Sequence, residues 1–190
     1  MFMKIYNTLS HKEEVFIPWE EGKVSFYTCG PTVYHYAHIG NMRNYIGHDI
    51  LDKTLRFIGF DVTRCMNITD VGHLTSDSDS GDDKMVASAK KEHKSVLDIA
   101  SFYTDAFFKD FDALNCKRPE IVSNATDNIE EYIKIITKLL EDGYAYKAGG
   151  NVYFDTSKLK DYYVLTNHKE DDMVVGARES VEYDASKKNQ

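Results

Sequence analysis

The sequence predicts an α/β protein in which parallel strands alternate with amphipathic helices. Residues 24–28 are aromatic and β-branched, which favours a strand, and the Gly30-Pro31 pair ends it. Between Asn41 and Gly59 the apolar residues recur mostly three and four positions apart, which predicts a helix. Residues 61–69 have the composition of a second buried strand. Strand, helix and strand form one βαβ unit, whose right-handed crossover brings both strand ends to one edge.

Composition and charge narrow the class of protein. The chain has 190 residues, of which 42% are hydrophobic, enough for a core in one domain or one and a half. It has no apolar run long enough for a membrane span and no signal-peptide pattern, so we expect a cytoplasmic protein. The three cysteines are odd in number and widely separated, which indicates reduced thiols. A net charge of −8 argues against general attraction to nucleic acid.

The junction between the first strand and the first helix carries the most chemistry. Cys29 and Gly30 end the strand, and His38 and Gly40 lie where the helix begins. A helix start offers backbone N–H groups and a positive dipole end to phosphate. Taken singly, the cysteine favours a buried packing role and the histidine a cap. Because packing alone does not explain a thiol, an imidazole and two glycines at one turn, we predict a nucleotide site.

The second strand ends at Asn67 and Thr69, which should face the same crevice as Cys29. Considered alone, the Thr69 hydroxyl favours a role in capping backbone. Arg43 and Lys53, on the first helix, are interpreted as solvated charges. Residues 76–83 are predicted to form a solvated acidic loop, because their spacing does not match a calcium-binding loop.

Later elements follow in order. Ser95 and Asp98 form a predicted capping pair for a helix whose aromatic stripe, from Tyr103 to Phe111, favours burial over base stacking. A further helix is predicted over residues 129–140, with Thr126 or Asp127 near its start and Gly143 after its end. Residues 144–146 and 151–155 flank Gly149-Gly150, which predicts a β-hairpin. The change of pattern near residue 116 predicts a domain boundary.

Ordered motifs resemble one enzyme family. They are C-G-P-T-V-Y at residues 29–34, H-I-G-N at 38–41, N-I-T-D at 67–70 and K-D-F-D-A-L-N at 109–115. Together with the opening residues 5–9 they resemble class I aminoacyl-tRNA synthetases, and within them the cysteinyl-tRNA synthetases, over essentially the whole chain. The resemblance implies the first half of a Rossmann-like nucleotide-binding domain at residues 1–115. Residues 116–190 would begin the family's connective insertion.

The resemblance also implies a reaction and its residues. A cysteine–tRNA ligase uses ATP to convert L-cysteine to cysteinyl-adenylate and then charges tRNA(Cys), with Mg²⁺ accompanying ATP. His38 and Asn41 would be catalytic, donating to phosphate oxygens, although the family's motif usually ends in histidine where Asn41 stands. The implied binding positions are Gly30, Thr32, His38, Gly40, Asn41, Asn67 and Thr69.

The resemblance assigns Cys29 to a zinc site. In the family this cysteine is one of four protein ligands, and the thiolate of the substrate cysteine binds the same ion, which discriminates against serine. The other three ligands belong to a region beyond Gln190, so zinc binding by this chain alone is not expected. Cys65 and Cys116 match no such motif and are interpreted as core residues.

Two further expectations concern the extent and identity of the protein. The family's Lys-Met-Ser-Lys-Ser loop does not occur in the sequence, so we expect an N-terminal fragment that is inactive alone. One alternative is the related ligase that joins cysteine to an amino sugar in mycothiol synthesis. The other is a non-catalytic nucleotide-binding or interaction protein derived from a synthetase.

Overall fold

The computed structural model describes residues 3–72 and 95–165. The predicted acidic loop at residues 76–83 lies outside this part. None of the described helices is long and apolar enough to cross a membrane. The described elements are β1 (Lys4–Asn7), β2 (Lys12–Val15), β3 (Lys23–Thr28), α1 (Ile39–Phe57), β4 (Asp61–Ile68), α2 (Val96–Ala113), β5 (Ile121–Asn124), α3 (Ile129–Glu141), β6 (Ala145–Ala148) and β7 (Asn151–Phe154), with short 3₁₀ turns at Thr126–Asn128 and Thr156–Lys158.

The chain divides into two compact units. Of the described residues, 17–72 and 95–128 form the first unit, and 3–16 and 129–165 form the second. The sequence-based boundary at residue 116 remains a prediction. β5, which follows that position, belongs to the first unit and to its sheet.

A three-stranded parallel sheet organises the first unit, in the order β3-β4-β5. This confirms the predicted α/β class and the two strands predicted at residues 24–28 and 61–69, which are β3 and β4. β4 lies in the centre and buries every second side chain: Val62, Arg64, Met66 and Ile68. β5 was not predicted, because its four residues are exposed or half-buried and show no alternation. It forms by pairing Cys65 with Ile121 and Ile68 with Asn124.

The core of the first unit lies between this sheet and helices α1 and α2. The predicted capping pair begins α2: the Ser95 hydroxyl accepts from the Asp98 N–H at 3.1 Å, and the Asp98 carboxylate bonds back. The aromatic face of α2 is buried, as predicted. The core residues are Val33, Met42, Tyr45, Met66, Ile68, Ile99, Ala100, Tyr103, Phe107, Phe108, Phe111 and Cys116.

Helix α1 buries two carboxylates as well as apolar side chains. Asp52 is fully buried; Arg56 bonds to its Oδ1, and the Nε of the equally buried Arg64 lies 3.5 Å from its Oδ2. Asp49 accepts from the backbone N–H of Lys117 at 2.7 Å and pairs with Lys53 at 2.6 Å. Lys53 is therefore an ion-pair partner and not only a solvated charge. A buried carboxylate needs charged or hydrogen-bonding partners, because removing it from water costs free energy.

Glu120 extends this network to the segment before β5. Its carboxylate accepts from Arg56 Nη2 at 2.8 Å and from the Arg64 backbone N–H at 2.9 Å, and it pairs with Lys117. Burial acts to raise the pKa of Glu120, but the hydrogen bonds from Lys117 and the Arg64 backbone outweigh it and lower the pKa to about 2. The network thus ties α1, β4 and the approach to β5 together.

In its described residues, 3–16 and 129–165, the second unit contains two hairpins and an α-helix. β1 and β2 pair antiparallel, with Lys4 opposite Val15. β6 and β7 also pair antiparallel around Gly149 and Gly150, whose φ values of 55° and 84° suit a two-residue turn. This confirms the predicted hairpin, and α3 confirms the predicted helix, with Gly143 at a φ of 76° just after it.

The ends of β3 and β4 meet closely beyond the regular sheet. The Thr69 N–H donates to Pro31 O at 3.0 Å, and the Val33 N–H donates to Thr69 O at 3.1 Å. A Cβ atom on Gly30 would lie 1.7 Å from the backbone oxygen of Asn67. Only glycine fits this approach, because a backbone oxygen cannot rotate away as the end of a side chain can.

Substituting this glycine should disrupt the sheet end. We expect Gly30→Ala to lower the free energy of unfolding by about 3 kcal/mol, the upper end of the cost of overpacking. Urea unfolding followed by circular dichroism measures it. Gly47→Ala is the matched control, because its Cβ would meet no described atom within 4 Å and helix propensity favours alanine. Equal stability of the two variants would contradict the close approach.

The Glu120 network predicts a pH dependence. Because its folded pKa of about 2 lies below the ordinary 4.5, the carboxylate stabilises the fold above pH 4.5. That contribution falls as the pH drops toward 2. Glu120→Gln should therefore cost about 2 kcal/mol at pH 7, typical of hydrogen bonds to a charged group, and much less near pH 3.

Chemical unfolding at several pH values tests this dependence. Glu13→Gln, on the exposed strand β2, serves as the control and should change stability little at any pH. If Glu120→Gln lowers the free energy of unfolding by the same amount at pH 7 and at pH 3, the electrostatic account is refuted.

Candidate active site

A cavity of about 320 Å³ lies at the junction between β3 and α1. Residues 30–38 form one wall, Asn41 and Tyr45 project from α1, and Tyr103 and Phe107 project from α2. Its volume is at the lower end of the range of roughly 300–1,000 Å³ typical of ligand pockets. The cavity lies entirely within the first unit.

His38 caps the helix that borders the cavity. Its backbone is extended, and its ring Nδ1 accepts from the N–H groups of Gly40 at 3.0 Å and Asn41 at 3.4 Å. Asn41 reciprocates, because its Oδ1 accepts from the His38 N–H at 3.1 Å. A neutral ring that accepts through Nδ1 carries its proton on Nε2. The cap therefore leaves Nε2 of His38 and Nδ2 of Asn41 as donors.

This capping arrangement also explains Gly40. A Cβ atom there would lie 2.9 Å from Cε1 and 3.1 Å from Nδ1 of His38. Glycine thus makes room for the histidine ring, a local reason that the sequence did not reveal. The N–H groups of Gly40 and Asn41 are already bonded to the ring, so an anion at this end meets side-chain donors rather than those two backbone groups.

Asn67 joins the strand ends beside the cavity. Its Oδ1 accepts from the Tyr27 hydroxyl at 2.7 Å and from the Gly30 N–H at 2.9 Å. Its Nδ2 donates to Thr69 Oγ1 at 3.0 Å. Thr32, which lines the cavity, forms a parallel bridge with Thr69. The hydrogen bonds thus run from β3 through Asn67 to the edge of the cavity.

Cys29 is an exposed free thiol immediately after β3. It is not one of the residues that line the cavity, but it lies close enough to Tyr45 to affect its titration. Burial, with a smaller contribution from the charge of Cys29, raises the pKa of Tyr45 to about 12. Tyr45 therefore stays protonated at neutral pH and presents a neutral hydroxyl. Cys65 is half-buried and Cys116 is buried, in keeping with their predicted packing role.

The described residues do not form a metal site by themselves. In residues 3–72 and 95–165, no three His, Cys, Asp or Glu side chains are grouped closely enough to hold a metal ion. Cys29 is thus a single candidate ligand, which does not fit a zinc site. The described residues that line the cavity include no carboxylate, the side chain through which proteins usually bind Mg²⁺.

The structure places the predicted site residues at three adjoining positions. Gly30, Thr32, His38 and Asn41 line the cavity. Gly40 lies beneath the histidine ring, and the remaining predicted residues, Cys29, Asn67 and Thr69, lie at the adjoining strand ends. Their roles toward a ligand remain predictions.

Sequence reasoning missed several residues of the cavity wall. Tyr45 was assigned only to the helical apolar face, although its spacing of four from Asn41 places both on one side of α1. His35 and Tyr36 lie within the family-like stretch but were assigned no role; His35 stacks on Tyr103 with ring centroids 6.0 Å apart. A second cavity, of about 490 Å³, lies between α1 and the end of α2. Its walls are formed largely by Ile39, Met42, Ile46 and Leu114, and its charged lining residues are Arg43 and Asp110.

Comparison with known proteins gives one consistent result. Residues 15–190 match the family described as "tRNA synthetases class I (C) catalytic domain". The whole chain is 56% identical to a cysteine–tRNA ligase of Treponema denticola and 47% identical to one of Treponema pallidum. It is 50% identical over 87% of its length to a cysteine–tRNA ligase of Zymomonas mobilis. The chain spans 38%, 37% and 32% of these relatives, respectively. On the strength of these matches and the parallel α/β fold, the chain belongs to the class I (C) tRNA synthetase catalytic-domain family.

Proposed function

We propose that the chain is the N-terminal part of a cysteine–tRNA ligase and that its cavity holds the reacting end of cysteinyl-adenylate. The observation that carries the proposal is the reciprocal His38–Asn41 cap, which leaves two side-chain donors at a cavity beside a free thiol. Substrates would be L-cysteine, ATP and tRNA(Cys), in line with the names of the relatives.

The proposed chemistry begins with attack of the cysteine carboxylate on the α-phosphorus of ATP. A new P–O bond forms to the carboxylate, the bond to the bridging oxygen breaks, and pyrophosphate leaves. Negative charge spreads over the phosphate oxygens, where His38 Nε2–H and Asn41 Nδ2–H would donate. The positive end of α1 adds to this effect, because the helix, described over its whole length, has no acidic residue in its first turn. Removing one such preorganised donor typically costs about 10²–10³ in rate.

The volume of the cavity favours the aminoacyl-phosphate portion over a whole nucleotide, since it lies at the lower end of the ligand range. Mg²⁺ would be carried by the phosphates of ATP and share their charge. Tyr45 contributes a neutral hydroxyl to the same wall and adds no charge to repel the phosphate.

Zinc and tRNA binding are assigned to the longer protein. Cys29 would supply one thiolate to a zinc ion whose other ligands come from outside this chain. The described residues form no metal site of their own, so we assign no step of the reaction to zinc. With a net charge of −8, this chain is not expected to hold tRNA by itself. Three free cysteines suit a reducing compartment, and we propose the cytoplasm.

Substitutions at His38 separate capping from ligand binding. His38→Asn keeps a good N-cap but removes the ring donor, whereas His38→Ala removes both. We expect His38→Asn to retain wild-type stability within about 0.5 kcal/mol and to weaken binding of a sulfamoyl analogue of cysteinyl-adenylate by about 10- to 100-fold. That range corresponds to a hydrogen bond to a charged group.

Isothermal titration measures this affinity, and thermal unfolding measures the cap. His11→Asn is a matched control, because His11 lies in the β1–β2 turn at a φ of 54°, which asparagine tolerates. Binding of the analogue by His38→Asn at wild-type affinity would overturn the proposed role of the ring.

Zinc competition tests the assignment of Cys29. In competition with a chromophoric chelator, the chain should show no tight one-to-one zinc binding, and Cys29→Ser should leave the titration unchanged. Tight binding that Cys29→Ser abolishes would mean that this chain supplies the remaining ligands itself.

A further inference from the structure

The side-chain amide of Asn67 has partners on both of its sides. Its oxygen accepts from Tyr27 and Gly30, at 2.7 Å and 2.9 Å, and its nitrogen donates to Thr69 at 3.0 Å. Asn67 is half-buried at the point where the chain after β3 meets the end of β4. These bonds connect residues that are up to 42 positions apart in the sequence, from Tyr27 to Thr69.

Donor and acceptor rules fix the direction of this amide. The Gly30 backbone N–H can only donate, so the atom that faces it must be the amide oxygen of Asn67. The amide nitrogen then faces Thr69, whose Oγ1 must accept. A hydroxyl that accepts in this way keeps its own proton for another acceptor. Asn67 therefore sets the polarity of the Thr69 hydroxyl.

We propose that Asn67 is a positioning residue for the ligand rather than a ligand contact. It fixes the peptide that follows Cys29 by holding the Gly30 N–H, and it turns the Thr69 hydroxyl into a hydrogen-bond donor. The acceptor would be an anionic oxygen of the bound aminoacyl-phosphate. The inference rests on the proposed function and assigns Asn67 a different part from the direct contact that the sequence predicted.

Aspartate distinguishes this role from simple support of the strand ends. Asn67→Asp keeps an oxygen that can accept from Gly30 and Tyr27. It cannot donate to Thr69, so the threonine hydroxyl would instead turn to donate to the carboxylate. Support would survive, and the donor toward the ligand would be lost. Asn67→Ala removes both functions.

The experiment uses the 190-residue chain with two readouts. Amide hydrogen exchange at Gly30, followed by NMR, reports support without any ligand; titration with the sulfamoyl analogue of cysteinyl-adenylate reports binding. We expect Asn67→Asp to protect Gly30 as the wild type does but to bind at least about tenfold more weakly, the loss of one hydrogen bond to a charged oxygen. Asn67→Ala should lose the protection.

A double-mutant comparison adds a test that a purely structural role would not pass. Thr69→Val should weaken binding as much as Asn67→Asp, and the double variant should be no weaker than Thr69→Val, because both changes remove the same donor. Thr69→Ser should restore binding. Asn44→Asp, an exposed position on α1, controls for the added negative charge and should bind within about twofold of the wild type.

Each outcome decides a separate claim. Wild-type affinity in Asn67→Asp, or losses that multiply in the double variant, would overturn the positioning role. If the wild-type chain takes up no analogue, the proposed function of this chain fails. The donor role of Thr69 then fails with it. Hydrogen exchange still tests whether Asn67 holds the Gly30 peptide: loss of Gly30 protection in Asn67→Ala with retention in Asn67→Asp supports that contact, and unchanged protection in Asn67→Ala overturns the inference.

Discussion

The approach of Gly30 to the backbone oxygen of Asn67 is the constraint on which the candidate site depends. Because Gly30 has no Cβ atom, the chain that leaves β3 can pass against the end of β4. It forms hydrogen bonds there through Pro31 and Val33. That contact places Cys29 at the outer end of the strand and directs residues 31–38 toward α1. The cavity is the space that this crossing segment encloses against the two helices. A side chain at Gly30 would therefore change the site as well as the sheet.

Backbone capping holds the start of helix α1, and ion pairs hold its end. At its start, His38 and Asn41 satisfy each other's backbone donors. Toward its end, Asp52 and Arg56 join a buried network with Arg64 of β4. Burying these charges costs free energy, and breaking one pair would leave its partner unpaired in the interior. The network therefore fixes the helix against the sheet, and the histidine at the other end of the helix is held in place with it.

Local signals explain what the sequence predicted. Capping at Ser95, the Gly149-Gly150 turn and the helix and strand periods all depend on residues within a few positions of one another. β5 could not be predicted in this way, because it exists through pairing with β4. The buried pair of Asp52 and Arg64 was also not predicted, because charged residues are assigned to the surface unless their partners are known.

The sequence predicted which residues belong to the candidate site better than it predicted the contacts among them. The motif identified His38 and Asn41, and the structure adds that they cap each other and so define which atoms remain free to donate. Asn67 illustrates the limit: its amide direction depends on Gly30, 37 positions away, and no local rule contains that contact. The chain spans 38% of the length of its Treponema denticola relative.

A crystal structure of the chain with the sulfamoyl analogue of cysteinyl-adenylate tests the central claim most directly. The account predicts the acyl-sulfamoyl group in the cavity between residues 30–38 and the two helices, with its oxygens within hydrogen-bond distance of His38 Nε2 and Thr69 Oγ1. The Asn67 amide should keep its bonds to Gly30 and Thr69 and touch no ligand atom. An analogue bound in the apolar cavity near Ile39 and Leu114, or in direct contact with Asn67, would contradict it.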